Sequence, residues 1–258
     1  MSTILYTVEE GVAIIKFNRP DVLNSFNREM ALAFQDALDD AATNKTIRAV
    51  MITGEGRSFS AGQDLEEVTS GEKIHIKDIV KEHYNPIITR IRNLELPVIA
   101  AVNGVAAGAG ANIALACDIV LASEKASFIQ AFSKIGLIPD SGGTFILPRL
   151  IGWGRASALM ILGDKVSATD ALNMGMIYKV LSPESLMKFS KEMAVKLSNM
   201  PTKGIAYTKQ ALNNSFNSSL EDQLKLEEIL QNKAGSTNDY NEGVNAFLEK
   251  RKPEFRGE

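Results

Sequence analysis

LPVIAAVNGVAAGAGANIALACDIVLASEKASFIQAFSKIGLIPDSGGT, residues 96–144, decides how the rest of the chain is read. Pro97 to Val102 is an apolar, β-branched run, the pattern of a strand buried on both faces. The glycine-rich turn Asn103–Gly110 then feeds an apolar helix predicted over Ala111–Cys117. Backbone N–H groups at such a turn point outward at a helix N-terminus and favour negative charge, bound or developing. Further on, Asp140 follows Ile138-Pro139 and precedes Gly142-Gly143, which puts a carboxylate on a tight loop. An anion-stabilising turn beside a proton carrier is the equipment for forming and quenching an enolate.

Composition narrows the field. At 258 residues, 45% hydrophobic and 23% charged, the chain suits one large α/β domain with a small appendage, and disorder is not expected. The net charge of −3 argues against a nucleic-acid partner and leaves room for a local basic patch. The single Cys117 excludes an internal disulfide and reads as a small core residue, and with only His75 and His83 beside it no usual zinc site can be assembled. MSTILYTVEEG at the N-terminus carries acids where a secretory signal needs basic residues, so a cytoplasmic location is expected. No charge falls between Glu95 and Asp118, a length that could cross a membrane. Pro97, Asn103, Asn112 and three glycines inside it fit a buried strand–turn–helix better, so no membrane partner is expected.

Outward from this stretch, Leu5–Thr7 and Val12–Phe17 flank Glu9-Glu10-Gly11 as a hairpin. Asn27 is placed to cap a helix reaching about Ala42, with Met30, Ala33, Phe34, Ala37, Leu38 and Ala41 on one face. Ala49–Thr53 reads as a buried strand, Ser58–Leu65 as a second tight loop, 66–76 as a polar, mobile loop, and Ile76–Asn93 as a long helix. His75 and His83 lie in or beside that helix and read as solvated or partly buried side chains. Beyond the central stretch, strands are predicted at Asp118–Ala122, Ser127-Phe128 and Tyr178–Leu181. Helices are predicted at Gly143–Ile151 (limited by Pro148), Ala156–Leu162, Ser167–Asn173 and Pro183–Met200. Residues 202–215, 219–234 and 239–249 are helical with no strand among them. The division expected is an α/β core over 1–200, rich in parallel pairing, and a helical region over 201–258.

Familiar motifs fail one by one. Gly108-Ala-Gly110-Ala-Asn-Ile113 has isoleucine where a dinucleotide fingerprint needs its third glycine, and there is no phosphate loop. Ser141 lacks the leading glycine of a hydrolase elbow, and the histidines are poorly placed for a triad. Asp140 has two readings on local sequence alone, a cap for the helix after it or a general base. Gln63-Asp64 can be turn residues only.

Phe17-Asn-Arg-Pro20 with Leu23-Asn24, Ser60-Ala-Gly-Gln-Asp-Leu65, Ala101-Val-Asn-Gly104 with Gly108-Ala-Gly110, Cys117-Asp118, Gly136–Thr144 and the tail Glu242–Arg251 together resemble the crotonase, or enoyl-CoA hydratase/isomerase, superfamily over essentially the whole chain. The resemblance implies a spiral of ββα turns with a C-terminal helical trimerisation region, an acyl-coenzyme A substrate, and a homotrimer or homohexamer. Coenzyme A then enters as part of the substrate, with no separate cofactor and no metal.

The same resemblance places an oxyanion hole at the backbone N–H groups of Gln63 and Ala109. Coenzyme A is expected along Val22, Leu23, Ser25 and Ala61 to Gln63, with Asp64 orienting the loop and Arg19 and Lys252 of the basic tail as candidates for its phosphates. The two glutamates with which hydratases of the family grip water correspond to Asn112 and Phe132, neither of which takes a proton from water. Asp140 stands where isomerases of the family carry a carboxylate. NGVAAGAGA, AFSKIGLIPDSGGT and Gly175-Met-Ile177 are most similar to the isomerases of the family that act on a ring epoxide of phenylacetyl-CoA, with Ala131-Phe132-Ser133 lining an aromatic-sized pocket. A 2-enoyl-CoA hydratase, a non-catalytic binding protein and a self-compartmentalising serine peptidase share the fold and are the alternatives. Asn112 and Phe132 argue against the first, an intact oxyanion turn with Asp140 against the second, and the histidine positions against the third.

Overall fold

In the computed structural model, which describes residues 2–69 and 75–258, Glu10 and Gly11 take positive φ and turn β1 (Ile4–Glu9) back antiparallel onto β2 (Val12–Phe17). The predicted cap forms: the Asn27 side chain accepts the Met30 N–H, and α1 (Arg28–Thr43) buries Met30, Phe34, Ala37, Leu38 and Ala41. That crossover makes β3 (Ala49–Gly54) parallel to β2. β5 (Val98–Val102), β7 (Ile119–Ser123) and β10 (Lys179–Leu181) continue a six-stranded sheet, parallel from β2 onward, in the order β1-β2-β3-β5-β7-β10.

A second sheet, in the order β4-β6-β8-β9, stands beside the first. Its strands are β4 (Ser58–Ser60), β6 (Val105–Ala107), β8 (Ser127–Ile129) and the antiparallel β9 (Lys165–Ser167). The chain leaves each of β3, β5 and β7, bends at once into β4, β6 or β8, and then turns into a helix. This repeated ββα unit is the expected spiral. Its three-residue strands are the main departure from the sequence reading: β6 lies inside what reads as one turn, Asn103–Gly110, and β4 inside what reads as a loop. Three residues are too few to show alternation, and these strands exist only because their neighbours pair with them.

The helices in order are α2 (Leu65–Thr69), α3 (Ile76–Ile79), α4 (Asn85–Asn93) and α5 (Ala109–Ala116), with a π turn, Val80–Tyr84, joining α3 to α4. Of the stretch 66–76, read as a polar loop, α2 forms the beginning, and 70–74 lie outside the described residues. After these come α6 (Gly143–Ile151), α7 (Trp153–Leu162), α8 (Ala168–Asn173) and α9 (Pro183–Ser198). Pro148 lies inside α6 instead of limiting it; proline forfeits one N–H bond there, and the helix runs on to Gly152. The uncharged stretch before Asp118 is an interior one, its helix α5 only eight residues long and wholly buried. Among the described residues no helix is long and apolar enough to cross a membrane.

Both faces of the large sheet are covered, which is why its strands read as continuous apolar runs. Val50, Ile52, Val98, Ala100 and Val102 join the main core with α1, α4 and α5, while Ala49, Met51, Ile99 and Ala101 pack under α9. Phe17, at the end of β2, has the rings of Phe26, Phe34 and Phe59 edge-on at 5.0, 5.1 and 5.2 Å.

The chain ends in α10 (Thr202–Ser215), α11 (Leu220–Gly235) and α12 (Asn238–Glu249). One buried cation ties α10 to the core. Lys209 Nζ lies 2.7 Å from Asp118 Oδ2 and donates to the Leu96 carbonyl at 2.7 Å, while Asp118 accepts the Val98 N–H at 2.8 Å. Burial lowers the Lys209 pKa and the Asp118 charge opposes that shift. Without Lys209, Asp118 keeps only the Val98 N–H and Arg92 at 3.9 Å, so Lys209→Ala should cost about 3 kcal/mol in urea unfolding. A loss near zero would mean that the other contacts of α10, the Arg92–Asn213 hydrogen bonds among them, hold it without the buried cation.

Candidate active site

Two strand exits build the site. After β4, Ala61–Asp64 runs beside the loop 22–26: the Ala61 N–H donates to the Leu23 carbonyl (2.9 Å), Phe26 N–H to the Gly62 carbonyl (2.7 Å) and Asp64 N–H to the Phe26 carbonyl (2.8 Å). Val22, Leu23, Ser25 and Ala61, expected to share one ligand, are therefore adjacent. Leu23 and Asn24 both take left-handed φ, and the fully buried Asn24 fixes them by accepting the Arg19 N–H and donating to the Glu55 and Ser58 carbonyls. Arg19 turns inward, 2.8 Å from Asp64 Oδ2 and donating to the Ser25 carbonyl at 2.6 Å. The other Asp64 oxygen accepts the Glu66 N–H and starts α2.

The second exit, after β6, is the N-terminus of α5, where Gly108 has φ +52 and Ala109 is the first helical residue. Gly62, with φ +90, packs so closely here that a Cβ would lie 2.8 Å from the Ala107 carbonyl oxygen and 3.4 Å from Ala109 N. Only glycine fits. Gln63 follows it directly, so the two expected oxyanion residues lie side by side. Among the described residues, no turn or loop hydrogen bond engages the N–H of Gln63 or Ala109. Phe132, buried on a 3₁₀ turn (Ala131–Ile135), leans its ring toward this turn, 3.8 Å from where a side chain on Gly108 would begin.

Asp140 is half-buried and does not cap α6. Gly142, with left-handed φ, is the cap, and it is the Asp140 carbonyl that accepts the Gly143 N–H at 2.9 Å. The carboxylate is left for other work. Burial raises its pKa, opposed by the Ser141 hydroxyl, which donates to Oδ1 at 2.8 Å. Ser141 is itself held at φ +51, a conformation serine avoids and one found where a loop is pinned from outside.

Asn112 does that pinning. It is 1% exposed, donates through Nδ2 to the Asp140 carbonyl and accepts at Oδ1 from Gln130 Nε2, both at 2.8 Å. Gly143 lies so near the Asn112 amide that any side chain there would collide with it. α5 therefore carries both the Ala109 N–H and the amide that locates Asp140, one helical turn apart.

Some expected residues lie elsewhere. Lys252 is exposed on a tail that folds back beside α12, its neighbour Arg251 paired with Glu242, and no described contact brings it to Asp140 within this chain. His75 stands exposed at the start of α3, whereas His83 is 2% exposed, more deeply buried than the sequence suggests, and burial lowers its pKa. Cys117 is buried with its pKa raised, an inert thiol.

Tyr84 is the residue sequence reasoning missed. Its hydroxyl donates to Gln63 Oε1 at 2.6 Å. Its ring is buried in the core with Ile87 and Ile91, and only the hydroxyl reaches the site.

The chain matches the family model described as enoyl-CoA hydratase/isomerase over residues 7–258. It belongs to that family. It is 46% identical over 260 residues to a 1,2-epoxyphenylacetyl-CoA isomerase of Escherichia coli, covering 100% of this chain and 99% of that one. A trans-2-decenoyl-acyl-carrier-protein isomerase of Streptococcus mutans is 38% identical over 98% of each chain. The crystal structure of an enoyl-CoA hydratase from Bacillus anthracis superposes with a TM-score of 0.92 at 32% identity, covering 99% of this chain and 100% of that one. The expected fold and family thus hold, and isomerases and hydratases stand together among the relatives.

Replacing Asn112 by Asp keeps its size and removes the donor to the Asp140 carbonyl. Asn112→Asp should destabilise the protein by about 1–3 kcal/mol and lower its activity, read by urea unfolding and turnover. Wild-type stability would show that the loop locates Asp140 by itself.

Proposed function

We propose that this protein is an acyl-CoA isomerase that works with one carboxylate. The carrying observation is the pairing of a half-buried Asp140, its pKa raised by burial, with an Asn112 whose amide is engaged at both ends. A hydratase needs acidic groups on its water. Here the position on α5 holds an amide in a structural bridge, and the other, Phe132, presents a ring.

In a 3-enoyl thioester the carbonyl oxygen sits at the N–H groups of Gln63 and Ala109. Asp140 takes a proton from C2, and the electron pair moves into the carbonyl, giving a dienolate. The two N–H groups and the N-terminal end of α5 stabilise the negative oxygen. Asp140, now protonated, returns the proton at C4, and the 2-enoyl thioester leaves with no atom gained or lost. The relative named for 1,2-epoxyphenylacetyl-CoA supports a more specific substrate, that ring epoxide, opened to the oxepin in a pocket that Phe132 borders.

Coenzyme A lies along Val22–Ser25 and Ala61–Gln63. Arg19 serves it indirectly, by holding Asp64, and Lys252 meets its phosphates from a neighbouring copy in a homotrimer or hexamer. Exposed Ile138, Trp153, Ile161, Phe247 and Leu248 supply apolar surface for such an assembly.

The test is 3-enoyl-CoA in heavy water, followed by mass and ultraviolet absorbance, with crotonyl-CoA alongside. Conjugated 2-enoyl-CoA without hydration is expected, and hydration of crotonyl-CoA at a comparable rate would make the protein a hydratase. Asp140→Asn should abolish isomerisation and keep acyl-CoA binding; normal turnover by this variant rules the mechanism out. Because the base must be ionised, kcat/KM should rise with pH through a midpoint above the ordinary aspartate value of about 4. A rate flat down to that value would mean that burial does not govern the base.

A further inference from the structure

Gln63 is held more firmly than a loop residue requires. Its Nε2 donates to Glu67 Oε2 at 2.9 Å and to the Asp64 carbonyl at 3.2 Å, and its Oε1 accepts from Tyr84 at 2.6 Å. The second Glu67 oxygen accepts the N–H of Arg28, the first residue of α1, at 2.7 Å, where the helix dipole favours a carboxylate. A continuous line of hydrogen bonds thus runs from the N-terminus of α1 through Glu67 and Gln63 to Tyr84.

Tyr84 is the rigid end of that line. It is 1% exposed, its ring edge-on to Phe26 at 6.1 Å and so joined to the aromatic cluster around Phe17. It closes the π turn Val80–Tyr84, where one extra residue in the turn changes which side chains face inward. The consecutive residues His83 and Tyr84 are both buried. Burial above all, and then the charges of Asp140, Glu67 and Asp64, raise the phenol's pKa, so Tyr84 stays protonated and remains a donor.

We propose that Tyr84 is a positioning residue for the isomerisation: its hydroxyl, braced by the aromatic core, holds the Gln63 side chain and thereby aims the Gln63 N–H at the thioester oxygen. The proposal rests on the isomerase reading above. A backbone donor cannot be deleted by substitution, so its direction must be set by what holds the residue: the buried Phe26 holds the backbone on either side of Gln63, and Tyr84, anchored in the aromatic core, holds its side chain. Tyr84 is neutral, so losing its hydroxyl changes no charge near Asp140.

The experiment compares wild type, Tyr84→Phe, Gln63→Ala and the double variant. It measures isomerisation of 3-enoyl-CoA against pH and the absorbance of bound cinnamoyl-CoA, whose band moves to longer wavelength when donors pull on the thioester oxygen. Tyr84→Phe keeps the ring and the core. It should lower kcat about ten- to hundredfold, part of the loss seen when an oxyanion donor is removed outright. KM should stay within about threefold, the mark of an interaction made in the transition state.

The cinnamoyl-CoA band should shift less than in wild type, and the acid limb of the pH profile should not move. The double variant should be no slower than the slower single one, because both cut the same line. Wild-type kcat with a full shift in Tyr84→Phe overturns the proposal, as does a loss confined to KM or a displaced acid limb, which would put Tyr84 to work on binding or on Asp140. A wild-type protein that shifts the band but isomerises nothing defeats the isomerase reading alone, and the band in Tyr84→Phe still decides whether the residue aims the donor. A wild-type protein that does neither overturns both.

Discussion

The site depends on the contact between Gly62 and the backbone of Ala107 and Ala109. Two strand exits can meet there only because β4 and β6 are parallel neighbours, entered from β3 and β5, which are parallel neighbours themselves. Each repeat of the ββα unit delivers its exit to the same end of the small sheet. The close approach excludes a side chain, and it sets a loop N–H beside the first N–H of a helix. Gln63 and Ala109, from distant parts of the sequence, are thereby brought together, as the proposed oxyanion hole requires.

The parts around that point are held from several sides. Arg19 and Asp64 secure the loop from one side, Tyr84 and Glu67 hold the Gln63 side chain, and Asn112 ties the Asp140 loop to the helix that carries Ala109. These interactions are partly buried, and there a hydrogen bond keeps more of its strength than in open water and an unmade one costs more. The left-handed φ of Ser141 fits this picture: local strain persists where the surroundings determine the loop.

Asn112 is also the residue on which the proposed isomerase reading turns. A side chain that in hydratases would activate water is here an amide serving as both donor and acceptor. A carboxylate in its place would face the Asp140 carbonyl with no proton to offer. The substitution therefore removes an acid and installs a clamp on the remaining one. On the proposed reading, that exchange favours proton transfer between carbons over addition of water.

Much of this was legible in the sequence. Long buried strands, the cap at Asn27, the glycine-rich turn and the C-terminal helices all have local causes: apolar runs, a side chain that accepts an N–H, residues that allow positive φ. Asp140, Gln63 and Ala109 stood out as a carboxylate and two turn residues, though their roles came from the resemblance and not from spacing. Only the tertiary structure decided the rest. β4, β6 and β9 are too short for periodicity and exist because their neighbours pair with them. Asp140 read equally well as a helix cap until its carbonyl, and not its carboxylate, was found at the helix start. Arg19 read as a phosphate candidate, but a partner 45 residues along the chain in Asp64 turns it inward. Tyr84 was not singled out, because a pattern of apolar residues records where a ring goes and says nothing of what its hydroxyl will meet.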